Sequence, residues 1–353
     1  PNLTKQVLVD GHLYALPVEV STSCWSIDTA VLEDVGLTAE DVPTTYLELL
    51  NLIDEWITSY VEDYPEHALM DYPYSLSMQL FSQIMLAQIA ECEADGRTLT
   101  FTDADFIATL NKLDSMREKL KAYEDQWNDD NNSGNVVYSS NTMIGGSYDA
   151  SSSEGPLLSS YASIDIHYAS NPESTAVPLM LSIQPNHDSS VIGNIRVMAV
   201  NRSSKNADAA MNLLTYLAVN RSDYQKSLLS PAYTDNIEDS FYEENKANHE
   251  SYIDELTKAM ATADDSEKRD YQEAIQNLTD ALTRLSPYQY TTEDILLYDS
   301  QMENVRIIES TVFYGDDNEA STLVNRYMDG NITVDQFVRE LTRIVQMMIM
   351  ENS

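Results

Sequence analysis

Near Ser26 the spacing of apolar residues changes from every second position to about every fourth, and helices dominate from there onward. Upstream, Val7-Leu8-Val9 and Leu13 to Val18 flank Asp10-Gly11, the usual signal of a short hairpin. A chain that opens inside a hairpin reads as one whose upstream portion is absent from this sequence. Downstream, Thr44 to Tyr60 follows the breaker Pro43 and sets Leu47, Leu50, Ile53 and Ile57 on one stripe. Pro73 to Ile89 reads the same way, as does Asp103 to Trp127 with Asp103 as N-cap.

The helix signal stops at Asn128, where a polar run to Gly134 reads as a loop before the strand Val136-Val137-Tyr138. Residues 139 to 190 are rich in Ser, Gly and Pro and read as strands and long loops, where binding groups tend to sit. Ile192 to Val200 is a strand. Ser203-Ser204 then caps a helix with Ala207, Ala210, Leu213, Leu214 and Leu217 on one stripe. Ile237 to Leu285 is a charged helical hairpin broken near Ala263-Asp264-Asp265. A helix from Thr292 to about Ile308 follows. The last helix starts at a Thr333 cap and buries Phe337, Leu341, Ile344, Val345 and Met348. The pattern is α/β and helix-rich, with strands used sparingly.

At 353 residues the chain exceeds what one ordinary core serves, so two lobes are expected. The 58 acidic and 20 basic side chains give a net charge of −38. Phosphate binding needs clustered Lys and Arg, so this balance argues against nucleic acid. It also disfavours anionic lipid surfaces and polyanionic substrates, and favours neutral or cationic small molecules.

Catalytic and metal signatures are weak. Cys24 and Cys92 follow no CxxC spacing and read either as two buried thiols or as one bridge, the thiols favoured. Asp129-x-Asn131-x-Ser133-Gly134 opens like a calcium loop, but Ser140 stands where the bidentate Glu belongs. Gly145-Gly146-Ser147-Tyr148-Asp149 lacks the closing Gly of a nucleophile elbow. His249-Glu250 lacks the second His of a zinc helix. No metal and no cofactor is expected. Paired carboxylates for glycan hydrolysis have no specific signature among so many acids. Aromatic residues are more suggestive, because Trp and Tyr rings hold sugars by stacking. Tyr14, Trp25, Tyr72, Tyr74, Tyr148, Tyr161 and Tyr168 lie in loop-like places.

Four stretches, in order, carry a resemblance. Asp10 to Pro17 reads DGHLYALP, followed by Ile27 to Leu32, Gly36-Leu37 and Pro43 to Tyr46. Thr142 to Tyr148 reads TMIGGSY. Val200 to Asn206 reads VNRSSKN and leads into Ala209-Ala210, Leu213-Leu214 and Tyr216-Leu217. Tyr327 to Val334 reads YMDGNITV, with Phe337 and Glu351 beyond it. Together they resemble the extracellular solute-binding proteins of ABC importers, in the branch of maltose- and oligosaccharide-binding proteins, with the opening strands and helices of that family absent before Pro1.

The resemblance implies a two-lobe, periplasmic-binding-protein-like fold of type II with an incomplete first lobe. Residues 1–24 and 195–287 would form the first lobe, and residues 25–194 and 288–353 the second. It implies a monomer outside the cell, lipid-anchored to a bacterial membrane, that holds a sugar or oligosaccharide between its lobes. It would deliver that solute to the transmembrane subunits of a permease without chemistry of its own. The ligand-binding residues it implies are Glu19, Ser21 and Trp25 after Pro17, Tyr148 as a stacking ring, and Tyr72 and Tyr74 before a helix. A secreted glycan hydrolase and a surface lipoprotein for sensing or adhesion are the alternative readings.

Overall fold

The computed structural model describes residues 15–65, 67–70, 75–132, 156–162, 164, 166, 175–188, 191–201, 203–222, 226, 235–308 and 319–352. The hairpin read before Ala15 and the strand read at Val136-Val137-Tyr138 lie outside them. The architecture is helix-rich α/β, organised on one long strand.

That strand, β1 (Leu16–Asp28), carries the period-two pattern to its end and then turns directly into α1 (Thr29–Asp34). Asp28 is the switch: its carboxylate accepts from the N–H groups of Ala30 and Val31 and so satisfies two donors of the first turn. β1 has different neighbours along its length. Leu16 to Ser23 pair antiparallel with β4 (Val191–Met198), and Cys24 to Ile27 pair with β2 (Leu158–Ala162). Ser26 to Asp28 pair with β3 (Ala176–Pro178). On its far side β4 runs parallel to β7 (Val305–Ile307).

Pleating sends alternate residues of β1 to opposite sides. Trp25 and Ile27 enter a large core, whereas Cys24 enters a small one with Ile164, Val191, Ile237, Tyr298 and Met302. The large core gathers α2 (Tyr46–Glu55), α3 (Leu76–Ala94), α4 (Ala104–Ser115) and the start of α5 (Arg117–Asn132). From the end of the chain it adds α10 (Glu319–Met328) and α11 (Val334–Asn352). Tyr327 and Phe337 stack at 4.7 Å, and Phe81 packs on both rings, at 5.4 Å and 5.6 Å.

Local chemistry sets the helix starts. Thr45 and Glu48 form a reciprocal capping box at α2, and Thr333 and Gln336 do the same at α11. On α11 Phe337, Leu341, Ile344 and Val345 are buried as the period requires. The stripe on α2 is centred on Leu49, Leu50 and Ile53, and Ile57 falls in a π-helical turn, Trp56–Tyr60.

Several elements differ from the sequence expectation. The helix expected from Asp103 is two helices meeting at Met116, and it runs on through the polar residues to Asn132. Asp103 stands at the N-cap position as read, but its side chain makes no cap hydrogen bond. Its carboxylate instead takes the guanidinium of Arg97 and the amide of Gln88. The helix α6 (Ala207–Val219) starts from Asn206, and Ser204 Oγ accepts the Asn206 N–H just before it. Thr292 to Ile308 divides into α9 (Thr292–Met302) and the strand β7, because β4 offers a free edge for Val305 to Ile307. The charged hairpin is as read: α7 (Tyr242–Met260) and α8 (Asp265–Arg284) flank the break at Ala261 to Asp264. Its base is a short ribbon of β5 (Ile237–Glu238) and β6 (Tyr288–Tyr290).

Candidate functional site

One face of β1 carries, at successive alternate positions, Glu19, Ser21, Ser23 and Trp25. Helix α3 lies against the Ser23–Trp25 end of that face. It contributes Met78, Gln79, Ser82, Gln83 and Leu86, and Ser160 of β2 adds the side wall. Between them is a groove of about 220 Å³. Gln83 Nε2 donates to Ser23 Oγ at 3.4 Å, tying helix to strand across the groove.

The groove combines two kinds of surface. Met78, Leu86 and the edge of Trp25 are apolar, while Ser23, Gln79, Ser82, Gln83 and Ser160 can each donate and accept hydrogen bonds. Among the described residues none of the lining side chains is ionisable. Two buried polar atoms of its wall, Trp25 Nε1 and Ser160 Oγ, have no hydrogen-bond partner among the described residues. Such an atom costs about 1–3 kcal/mol when left unpaired, and both are sealed behind the groove wall with almost no accessible surface.

The expected site residues fall as follows. Trp25 lines the groove, but its ring is 1% exposed, so it serves as wall and floor and has no face open for stacking. Ser21 is exposed one alternation up the same strand face. Glu19 is exposed further along and is ion-paired with Arg196 on β4. At about 3.3 Å per residue Glu19 stands ~20 Å from Trp25, so one ring cannot touch both. Tyr72, Tyr74 and Tyr148 lie outside the described residues.

The groove residues missing from the sequence reading are Ser23, Gln79, Ser82, Gln83 and Ser160. A signal for the helical ones was available. From Leu76 to Ala90 no charged residue occurs, an uncharged run in a chain where 22% of residues are charged. A helix of that kind is covered on all sides, and its Ser and Gln then face something other than bulk water.

Both cysteines are free and buried. Burial raises the Cys24 thiol to about 12 and also raises that of Cys92, so both stay protonated and unreactive. At the far end of α3, Glu91 is fully buried and accepts from the Ile183 N–H and from Gln184 Nε2 at 3.3 Å. Burial raises its pKa, an effect that these bonds partly offset. Among the described residues no group of three His, Cys, Asp or Glu is arranged to hold a metal ion. No helix among them is long and apolar enough to cross a membrane.

No family model matches the sequence, and comparison with curated proteins gives no match. Among solved structures the chain is similar to the cyclic α-maltosyl-1,6-maltose binding protein of Arthrobacter globiformis. That likeness has 14% identity and a TM-score of 0.47, over 97% of this chain and 74% of that one. It is similar to the sugar-binding protein MalE of Xanthomonas citri, at 15% identity and a TM-score of 0.47, over 100% of this chain and 74% of that one. It is also similar to a family 1 extracellular solute-binding protein of Alicyclobacillus acidocaldarius, at 13% identity and a TM-score of 0.39, over 98% and 74% of the two chains.

Proposed function

We propose that this chain captures a carbohydrate, as the solute-binding component of an ABC importer, and releases it to a membrane permease without making or breaking bonds. The observation that carries the reading is the groove between β1 and α3. It is uncharged among the described residues and mixes amide and hydroxyl groups with apolar carbon. Hydroxyl-rich solutes match that lining, since each sugar hydroxyl donates and accepts while the ring carbons are apolar. Four ordered stretches of sequence resembling family 1 solute-binding proteins support the same reading.

In this proposal residues 1–24 and 195–287 belong to one lobe, and residues 25–194 and 288–353 to the other. The solute contacts both when they close, and so shifts the open–closed equilibrium toward the closed form. Glu19, Ser21, Tyr72, Tyr74 and Tyr148 would extend the binding surface beyond the groove. Placement outside the cell, a lipid anchor and docking of the closed form on the permease subunits belong to the same proposal. The hydrolytic alternative needs two carboxylates on either side of a bound sugar, and among the described residues the groove lining holds none.

Calorimetric titration with neutral mono- and oligosaccharides tests the reading. Binding is expected for at least one of them, with Trp25→Ala weakening it by about 1–3 kcal/mol through loss of the groove wall. Absence of binding, together with an unchanged radius of gyration in scattering with every solute, would overturn it.

A further inference from the structure

The last turn of α3 is built against its own dipole. A helix C-terminus carries partial negative charge and favours cations, yet this one holds Glu91 and Glu93, with Asp95 at the C-cap and no basic residue in the turn. Cations arrive from outside the helix. Arg97 donates from Nε to Asp95 Oδ2 at 2.7 Å and from Nη1 to Asp103 Oδ2 at 3.0 Å. The other oxygen, Asp95 Oδ1, stands 3.1 Å from Nε2 of His187, a residue 92 positions further along the chain.

Local chemistry delivers that histidine. In Gln184-Pro185-Asn186-His187 the His187 N–H donates to the Gln184 carbonyl at 3.2 Å, and Asn186 has a φ of 62°. Pro in the second place and a left-handed Asn in the third are the residues of a type II turn. Upstream the segment is anchored by backbone alone: the Ser182 N–H donates to the Thr44 carbonyl at 3.0 Å, and the Tyr46 N–H to the Ser182 carbonyl at 2.9 Å. Glu91 then accepts from the Ile183 N–H and from Gln184 Nε2. The His187 ring itself lies between two acceptors, with Nε2 facing the Asp95 carboxylate and Nδ1 standing 2.7 Å from the Asp188 carbonyl. A neutral imidazole carries one N–H and satisfies one of them, whereas an imidazolium carries two and satisfies both.

We propose that His187 is a pH-operated latch, which as an imidazolium fastens residues 183–188 to the acidic end of α3 and on losing its proton lets them go. The segment leads into β4, which pairs with the groove strand β1, so the latch acts where the chain enters the central sheet. The neighbouring groups keep their charge across neutral pH. Arg97 stays protonated, and Asp95 is held below the usual carboxylate range by its bonds to His187 and Arg97. Burial raises the Cys92 thiol and the Tyr46 phenol, so both stay neutral beside Glu91. Burial opposes a charge on His187, but the bonds to Asp188 and Asp95 and the charges of Glu91 and Asp95 outweigh it and raise its pKa. A raised pKa makes the contribution of the latch complete below the unfolded value of about 6.5, and it is lost as pH rises through the folded value. The latch needs no solute, so it stands or falls apart from the function proposed above.

The experiment is hydrogen exchange on the intact chain between about pH 5.5 and about pH 8.5, read as protection factors so that the intrinsic pH dependence of exchange is divided out. An NMR titration of the histidine ring signals accompanies it, with that of His187 assigned by its loss in His187→Gln. Protection of residues 183–188 is expected to fall about five- to tenfold across this range, while the Tyr46 and Ser182 amides keep theirs. His187 is expected to titrate above the ordinary value of about 6.5. In His187→Gln the fall should vanish, in Asp95→Asn its midpoint should move to lower pH, and in Glu91→Gln it should persist. A fall that survives in His187→Gln overturns the proposal, as does a His187 pKa at or below the ordinary value. A fall that survives in His187→Gln and disappears in Glu91→Gln makes the buried carboxylate the pH-sensitive group in its place.

Discussion

Helices α2 and α6 are built from similar material. YLELLNLIDE carries four Leu and one Ile, ADAAMNLLTYLAV carries three Leu and four Ala, and both are read from sequence as amphipathic. In α2 Tyr46, Leu49, Leu50, Leu52 and Ile53 are buried against α4 and the helices that follow. In α6 no residue is fully buried. Met211, Leu213 and Tyr216 are 55%, 56% and 63% exposed, and Val219 is 72% exposed. The adjoining end of β4 behaves like α6, with Val197 and Met198 also exposed. Periodicity fixes which face of a helix is apolar. Whether that face is covered depends on what the rest of the fold places over it.

The contrast implies that identical chemistry has different effects at the two places. The largest expected effect is at Leu50 of α2, fully buried in the large core: Leu50→Ala should cost about 2–5 kcal/mol of stability in urea denaturation. Leu213→Ala on α6 should stay within about 0.5 kcal/mol in the same assay. Equal losses at the two positions would break the comparison.

Gly193 comes next. A Cβ there would stand 2.4 Å from Val305 Cγ1 and 3.1 Å from Ile307 Cδ1, where β4 and β7 run side by side. Gly193→Ala should cost about 1–3 kcal/mol by overpacking the small core, and Tm should fall accordingly. A smaller change is expected for Thr45→Ala, which removes one arm of the α2 capping box and should cost about 1 kcal/mol.

The smallest effect concerns pH. The Glu91 pKa is raised in the folded state, so its contribution is fully present below the unfolded value of about 4.3 and is lost as pH rises through the folded value. Stability measured from pH 4 to 7 should therefore fall less in Glu91→Gln than in the parent. An identical slope in the two proteins would remove Glu91 as its source.

Much of the fold could be read from the sequence because local chemistry specified it. The break between α7 and α8, the Thr333 cap, the β4-to-α6 step and the buried face of α11 all follow from patterns within a few residues of one another. The misread elements depend on distant partners. Val305 to Ile307 continues a helical pattern and becomes a strand only because the edge of β4 is beside it. Asp103 has the sequence of an N-cap, but Arg97 and Gln88 compete for its carboxylate. The site divides in the same way. Of the groove's lining the sequence reading names only Trp25, while Ser21 and Glu19 share its strand and lie outside that lining. Gln83 and Ser160 reach the groove from 58 and 135 residues further along the chain than Trp25, and only the packing of α3 and β2 on β1 brings them there.

β1 belongs to two bodies at once. Trp25 on one side is groove wall, and Cys24, its immediate neighbour, is pressed into the small core on the other. A substitution that shifts β1 at either residue therefore disturbs two separately packed interiors, one of them walled by Tyr298 and Met302.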